Sequence, residues 1–280
     1  MQEVVHETLT THEVLPHEAT TTAHTEEAAH GSGIHVALSA EKLGEFWGLP
    51  ITNTLVTSWV VMFLLIVVGL AVSRKVALIP SRMQTALEMV FGFFYDYVAE
   101  TLESRELART FFPLLMTTFF FIWIANAIEF TPGIGSLTFF NGHESVPFLR
   151  SMNTDLNMTL ALTLIAVLVI EAAGVLTLGA RTYFGKFFTL KSPIASVVGI
   201  IELVSEAARV VSFSFRLFGN IFAGEVLIAV VAFFVPYVLP VPLMAFEMFV
   251  GVVQAAIFTL LMLFFIKMAI TDPHAEEHAH

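Results

Sequence analysis

Residues 213–234 read FSFRLFGNIFAGEVLIAVVAFF. The run is long and apolar enough to cross a bilayer. It nevertheless carries an arginine, Arg216, and a glutamate, Glu225. A cation in such a stretch costs about 2.5–3.5 kcal/mol on insertion scales. A plain anchor avoids that cost, so the residue reads as functional: a fixed positive charge set where something negative must come to it. Helical spacing places Arg216, Asn220, Ala223 and Leu227 on one face, at i, i+4, i+7 and i+11. Glu225 follows the arginine by nine residues, about 180° round the helix at ~100° per residue. The two therefore point in opposite directions and are not an intrahelical ion pair. Gly219 and Gly224 leave flat patches where another helix can approach closely.

The rest of the chain has the same character. It has 280 residues, 56% of them hydrophobic, with mean hydropathy +0.81. Charged residues make up 13%, against roughly a quarter in soluble domains. This is the composition of an integral membrane protein, and its 28 Phe suit a lipid-facing surface. The absence of Cys excludes disulfides and thiolate metal sites. No motif calls for a cofactor or a bound metal, and nothing points to nucleic acid. The net charge of −11 belongs to the ends. Residues 1–46 hold eight Glu and one Lys, and the last nine residues hold Asp272, Glu276 and Glu277. Residues 1–46 also carry His6, His12, His17, His24, His30 and His35 at irregular spacing. A disordered, solvated tail is the expectation, with metal binding or pH sensing as the alternative. The tail lacks the basic and apolar regions of a secretory signal, and its acidity argues against a transit peptide.

The expected fold is all-α, with about five membrane-embedded helices and one amphipathic interfacial helix. Leu55–Val72 is the first span, followed by Arg74, Lys75 and Arg82. By the positive-inside rule the N-terminus is external and residues 74–110 are cytoplasmic. Ser81–Leu102, with Glu88, Asp96 and Glu100 among apolar residues, is the interfacial helix. Phe111–Ile128 is the second span, with Pro113 tolerated in its first turn. Residues 130–155 form an external loop. Asn157–Gly179 returns to the cytoplasmic side, where Arg181, Lys186 and Lys191 follow. Pro193–Phe234 would be roughly 60 Å long as one helix, so it lies steeply tilted or partly along the membrane. Pro236, Pro240 and Pro242 make the next external turn, and Leu243–Ile270 returns. The domain division is an acidic His-rich external tail (1–46), a membrane domain (47–271) and a short acidic cytoplasmic tail (272–280). No solenoid or inverted repeat is visible.

Polar residues recur along these spans. Glu247 and Gln254 are seven apart on the last helix and share a face. Glu202, Glu206 and Arg209 fall at i, i+4 and i+7, nearer the cytoplasm. Each has an ordinary reading. Glu171 alone suits a protonated core residue, Arg216 suits a pair with Glu247 that joins two helices, and the 202–209 patch suits a solvated face. Arg216 taken with Asn126, Glu129, Glu225, Glu247 and Gln254, over three apolar segments, reads instead as a polar route. Two other classes compete with it. One is a secondary transporter or channel with Arg216 binding an anionic solute; the other is a membrane scaffold without transport.

The segment Arg216-Leu217-Phe218-Gly219-Asn220, followed by Ala223-Gly224-Glu225, closely resembles the signature of subunit a of the rotary ATP synthase membrane sector. Glu247 with Gln254 resembles the polar pair on that family's last helix. Phe111-Phe112-Pro113-Leu114 through Asn126, then Pro132-Gly133, resembles its second span, and Asp155-Leu156-Asn157 the entry to its third. The resemblance covers roughly residues 50–272. It implies a non-catalytic stator beside a rotating ring of small hairpin subunits, with peripheral-stalk b subunits and other synthase subunits as partners, in a bacterial plasma membrane. It makes Arg216 the essential arginine, with Asn220 and Gln254 beside the route. It runs an external half-channel past Asn126, Glu129, Glu225 and Glu247, and a cytoplasmic one out near Glu202. Position 247 often carries His in bacterial members and position 225 His or Gly in some relatives. Glu171 and the long tail match nothing in the pattern.

Overall fold

In the computed structural model, residues 40–46, 49–74, 81–131, 138–140, 145–185 and 193–271 are described below. The tail through residue 39, the tail 272–280, Lys75, Lys186, Lys191 and two stretches of the 130–155 loop lie outside the described residues. All those described belong to one unit, Ile34–His280.

Seven α-helices follow in order: α1 (Asn53–Ser73), α2 (Arg82–Leu102), α3 (Arg105–Glu129), α4 (Leu156–Leu178), α5 (Ala180–Gly185), α6 (Pro193–Phe234) and α7 (Pro240–Ile270). Five of them, α1, α3, α4, α6 and α7, are long and apolar enough to cross a membrane. The 42 residues of α6 correspond to about 63 Å, roughly twice the hydrocarbon thickness of a bilayer. α2 is the amphipathic helix and packs on α3.

Helix starts are set by side chains that satisfy the free N–H groups of the first turn. Thr52 accepts from Leu55 N–H, Ser81 from Gln84, Ser104 from Leu107 and Asp155 from Asn157. The Ser104 cap moves the start of α3 to Arg105, six residues before the expected Phe111. Pro113 therefore stands two turns inside the helix and not in its first turn, which corrects the sequence expectation. Its ring deprives the Arg109 carbonyl of a partner. The start of α7 also moves forward, to Pro240. Pro240 and Pro242 occupy first-turn positions, where a missing N–H costs nothing, so of the three prolines only Pro236 belongs to the turn.

The main core lies among α3, α4, α6 and α7, with Leu115, Ile122, Ile170, Phe213, Leu217, Met262 and Ile266 nearly inaccessible. Glycine lets α5 fold back on this core. A Cβ at Gly174 of α4 would meet the buried ring of Tyr183 at 2.2 Å. That packing also gives Glu171 a neighbour, since its carboxylate lies beside Tyr183. Burial pushes the Tyr183 phenol well above its usual range, and the nearby Glu171 carboxylate adds to the effect.

Two short antiparallel ribbons were absent from the sequence expectation. β1 (Lys42–Phe46) pairs with β2 (Leu49–Thr52), so the expected domain boundary at residue 46 falls between paired strands. β3 (Thr138–Phe140) pairs with β4 (Ser145–Pro147). After β4 a single 3-10 turn, Met152–Thr154, packs against α1, α3, α4 and α6 at once. Below, the end of the molecule that holds this turn is the Arg150 end. The opposite end, where Lys267 Nζ meets Glu103 at 2.9 Å, is the Lys267 end.

Candidate functional site

At the Arg150 end the apolar core gives way to a buried polar layer. α1 begins with Asn53, Thr54, Thr57 and Ser58, all buried. Their groups tie down the segment around the 3-10 turn. Asn53 Nδ2 donates to the Pro147 carbonyl at 3.3 Å, Thr54 Oγ1 to Asp155 Oδ2 at 3.3 Å, and the Arg150 N–H to Thr57 Oγ1 at 3.2 Å. Across the layer, Asn153 Nδ2 donates to Asn126 Oδ1, and Asn126 Nδ2 donates to the Gly251 carbonyl at 3.3 Å. Asn126 is fully buried, and a Cβ at Gly251 would lie 2.9 Å from its own Cβ. Glycine at 251 is thus what lets the amide of α3 reach the α7 backbone. Thr159 of α4 and Ser214 of α6 share a hydrogen bond of 3.2 Å deeper in the molecule.

The carboxylates gather in this layer. Glu225 Oε2 of α6 accepts from Arg150 Nη2 at 2.8 Å, with Arg150 only 6% exposed and Glu225 27%. Glu129, at the end of α3, has Glu225, Arg150 and Glu247 as charged neighbours and lies beside the Ser151 hydroxyl. Its Oε2 is buried without a partner. Glu247 of α7 is 6% exposed and sits where a side chain at Gly224 would be: a Cβ there would come within 2.5 Å of its carboxylate. The structure therefore brings Asn126, Glu129, Glu225 and Glu247 together, from three helices. Of the two α6 glycines singled out in the sequence, Gly224 is a close-approach point, while Gly219 meets nothing within 4 Å.

Arg216 stands apart from this cluster. It is half-buried on a face of α6 that continues through the exposed Ala223 and Leu227. Its Nη2 donates to Ser212 Oγ at 3.4 Å, the Phe213 ring lies 5.9 Å away, and its Nη1 is buried without a partner. Among the described residues it forms no ion pair, so the alternative of a helix-joining pair with Glu247 is not what the structure contains. Asn220, one turn on, is half-buried with an unpartnered Nδ2, and Gln254 is half-buried on α7. Glu202 is half-buried on α6, some 21 Å before Arg216 along the axis. Between them Arg209 Nη1 donates to Glu206 Oε2 at 2.6 Å and stacks 3.9 Å over Phe265 of α7.

Arg150, the buried salt-bridged arginine, was missed in the sequence, and so were Asn153 and the polar start of α1. A signal for Arg150 was present. Most Lys and Arg flank the other ends of the spans, and Arg150 is an isolated base in the loop assigned to the opposite side.

Comparison with known proteins shows the family. The family described as ATP synthase A chain matches residues 55–267. The ATP synthase subunit a of Moorella thermoacetica is 32% identical over 218 residues, covering 78% of this chain and 90% of that protein. A protein of Propionigenium modestum described as ATP synthase subunit a, sodium ion specific, is 34% identical over 228 residues, covering 81% of this chain and 76% of the relative. The subunit a of Gloeobacter violaceus is 34% identical over 226 residues, with 81% and 86% covered. With the family matched across its five spans and the signature arginine on α6, this multi-pass membrane protein belongs to the ATP synthase subunit a family.

Proposed function

We propose that this chain is the proton-conducting stator subunit of a rotary ATP synthase, and that Arg216 separates two offset half-channels. The observation that carries the reading is the contrast between the two opposite sides of α6. Glu129, Glu225 and Glu247 are clustered at the Arg150 end, whereas Arg216 faces outward with no ionic partner of its own among the described residues. A guanidinium stays charged at any physiological pH. It attracts a carboxylate on a passing ring subunit and favours its ionised form, but cannot relay the proton itself. A ring carboxylate releases its proton toward the cytoplasm near Glu202, passes Arg216, and is reloaded from the cluster of Asn126, Glu129, Glu225 and Glu247. Asn220 and Gln254 orient water or the arginine. Crossing 100 mV yields about 2.3 kcal/mol per charge, and rotation is the way to use it when the direct path is closed.

The partners in this reading are the ring of hairpin subunits, lying on the open Arg216 face, the peripheral-stalk b subunits, the remaining synthase subunits and the lipid. The membrane is a bacterial plasma membrane, with the Arg150 end and the N-terminal tail outside and the Lys267 end and C-terminal tail cytoplasmic. Residues 1–46 and 272–280 flank the membrane domain 47–271. The placement of Arg74, Arg82, Arg105, Arg109, Arg181 and Lys267 toward one end supports this orientation.

The test is Arg216→Lys in membrane vesicles carrying the whole complex. ATP-driven proton pumping and ATP synthesis are expected to vanish while the complex stays assembled. Pumping near the wild-type rate would refute the role. Pumping by the unaltered complex in sodium-free buffer supports the proton assignment, and a sodium requirement overturns it.

A further inference from the structure

Arg150 is not on a spanning helix, yet both its backbone and its side chain are fixed. Thr57 of α1 accepts its N–H, Glu225 of α6 accepts its guanidinium at 2.8 Å, and the side chain is 6% exposed. Its neighbours in sequence are fixed as well: Ser151 Oγ accepts from the Asn153 N–H, Asn153 donates to Asn126, and Asp155 accepts from Thr54. A long side chain held this way has little freedom left, so its charge sits at one point.

The charged groups around Glu225 can be taken element by element. Arg150 comes from the segment after β4, Glu129 from α3 and Glu247 from α7. α4 offers Asp155 at its start, already engaged by Thr54 Oγ1 and the Asn157 N–H, and α1 offers the uncharged Asn53, Thr54, Thr57 and Ser58. Beside Arg150, then, stand three carboxylates, of which Glu225 touches its guanidinium. One guanidinium offsets one carboxylate charge, and three carboxylates crowded beside it do not all ionise easily. A proton relay needs that condition: some members loaded and one empty.

We propose that Arg150 is a positioning residue of the external half-path, which through Glu225 keeps one ionised carboxylate in a cluster of three and fixes it on the side of α6 away from Arg216. The inference rests on reading that cluster as the half-path. It gives Arg150 two effects. The relay always has a vacancy for an incoming proton, and Glu225 stays engaged elsewhere and does not neutralise Arg216, whose charge is kept for the ring.

The experiment measures passive proton conductance against external pH, in vesicles of the whole complex stripped of its catalytic sector, with assembly checked by the copurifying ring. Arg150→Gln is expected to cut conductance at least tenfold at neutral external pH. It is also expected to displace the external-pH midpoint by ~1–3 units in the alkaline direction, the size of shift an adjacent opposite charge produces. Arg150→Lys, which keeps the charge, returns the midpoint to within half a unit of wild type. In a Glu225→Gln background, Arg150→Gln adds no displacement. If Arg150→Gln does not assemble, Glu225→Asp draws the carboxylate back by one methylene and displaces the midpoint the same way by less. A midpoint unmoved in Arg150→Gln or Glu225→Asp, or a Lys variant as displaced as the Gln variant, overturns the proposal and leaves Arg150 a strut. Wild-type conductance in Glu225→Gln itself would instead overturn the half-path reading, whatever Arg150 does.

Discussion

A methyl group added at Gly224 is a sharp probe of the carboxylate cluster. Built on this backbone, the new Cβ stands 2.5 Å from Glu247 Cδ and Oε2 and 2.9 Å from Oε1. Ordinary contact starts near 3.4 Å, so the carboxylate must retreat by about 1 Å. Glu247 is 6% exposed, and the helices on either side fix both backbones, so the retreat forces neighbours to shift. Overpacking of this kind costs about 1–3 kcal/mol. Replacing glycine by alanine within a helix returns about 1 kcal/mol, so much of the folding cost is offset. Function has no such offset, because displacing a reacting group by ~1 Å can cost ~100-fold. Gly224→Ala is therefore expected to assemble at near-normal levels and to lower passive proton conductance by about 10- to 100-fold. The assay is proton flux into stripped vesicles under a potassium diffusion potential. Adding Glu247→Asp to the same chain withdraws the carboxylate by one methylene and should restore at least half of the lost conductance on a logarithmic scale. Wild-type conductance in Gly224→Ala, or a double variant no better than the single, would show that Glu247 does not carry protons from its place against α6.

Asn126→Leu leaves the buried Asn153 amide without its partner, at about 1–3 kcal/mol, and removes the cross-helix donor to the Gly251 carbonyl, so the amount of assembled subunit on native gels should fall several-fold; unchanged assembly would refute this bridge between α3 and α7. Gly174→Ala drives a methyl into the Tyr183 ring, 2.2 Å away, and should lower the thermal midpoint of the detergent-solubilised protein, with Tyr183→Leu in the same chain restoring part of the loss. An unchanged midpoint in Gly174→Ala would mean that α5 does not dock on α4 in the membrane.

The spans were legible because a bilayer imposes length and hydrophobicity directly on the sequence, and α1, α4 and α6 begin and end within two residues of the expected points. Helix starts were less legible where polar chemistry decided them. Ser104 capped α3 before its apolar run began, and the prolines at 240 and 242, read as turn residues, started α7. The ribbons were invisible because strands of three to five residues carry too few alternations to stand out. Glu129, Glu225, Glu247 and Asn126, which the structure brings together, could be singled out because polar residues inside apolar spans are conspicuous. Arg150 was missed because a base in a loop is unremarkable until its partner, 75 residues away, is known.

The two arginines show why burial and pairing alone do not identify a coupling residue. Arg150 has the features usually sought: it is nearly inaccessible and paired at 2.8 Å. That pairing is what disqualifies it from meeting a moving carboxylate. Breaking a buried pair by withdrawing one partner costs about 3–5 kcal/mol, more than the ~2.3 kcal/mol that one charge gains from 100 mV. A ring carboxylate could not displace Glu225 at every step without consuming the driving force. Arg216 offers a different starting point. Its strongest contact in the chain is a hydroxyl at 3.4 Å, weak enough to be exchanged for a carboxylate and recovered afterwards. The nine-position separation of Arg216 and Glu225 puts about 13 Å along the axis and half a turn of α6 between the two charged sites. Arg150 and Glu225 attract and repel a carboxylate passing Arg216 almost equally at that distance, so the pair adds little net field there. In the proposed scheme the paired Arg150 acts on the cluster, and the charge of Arg216 stays available on the open face.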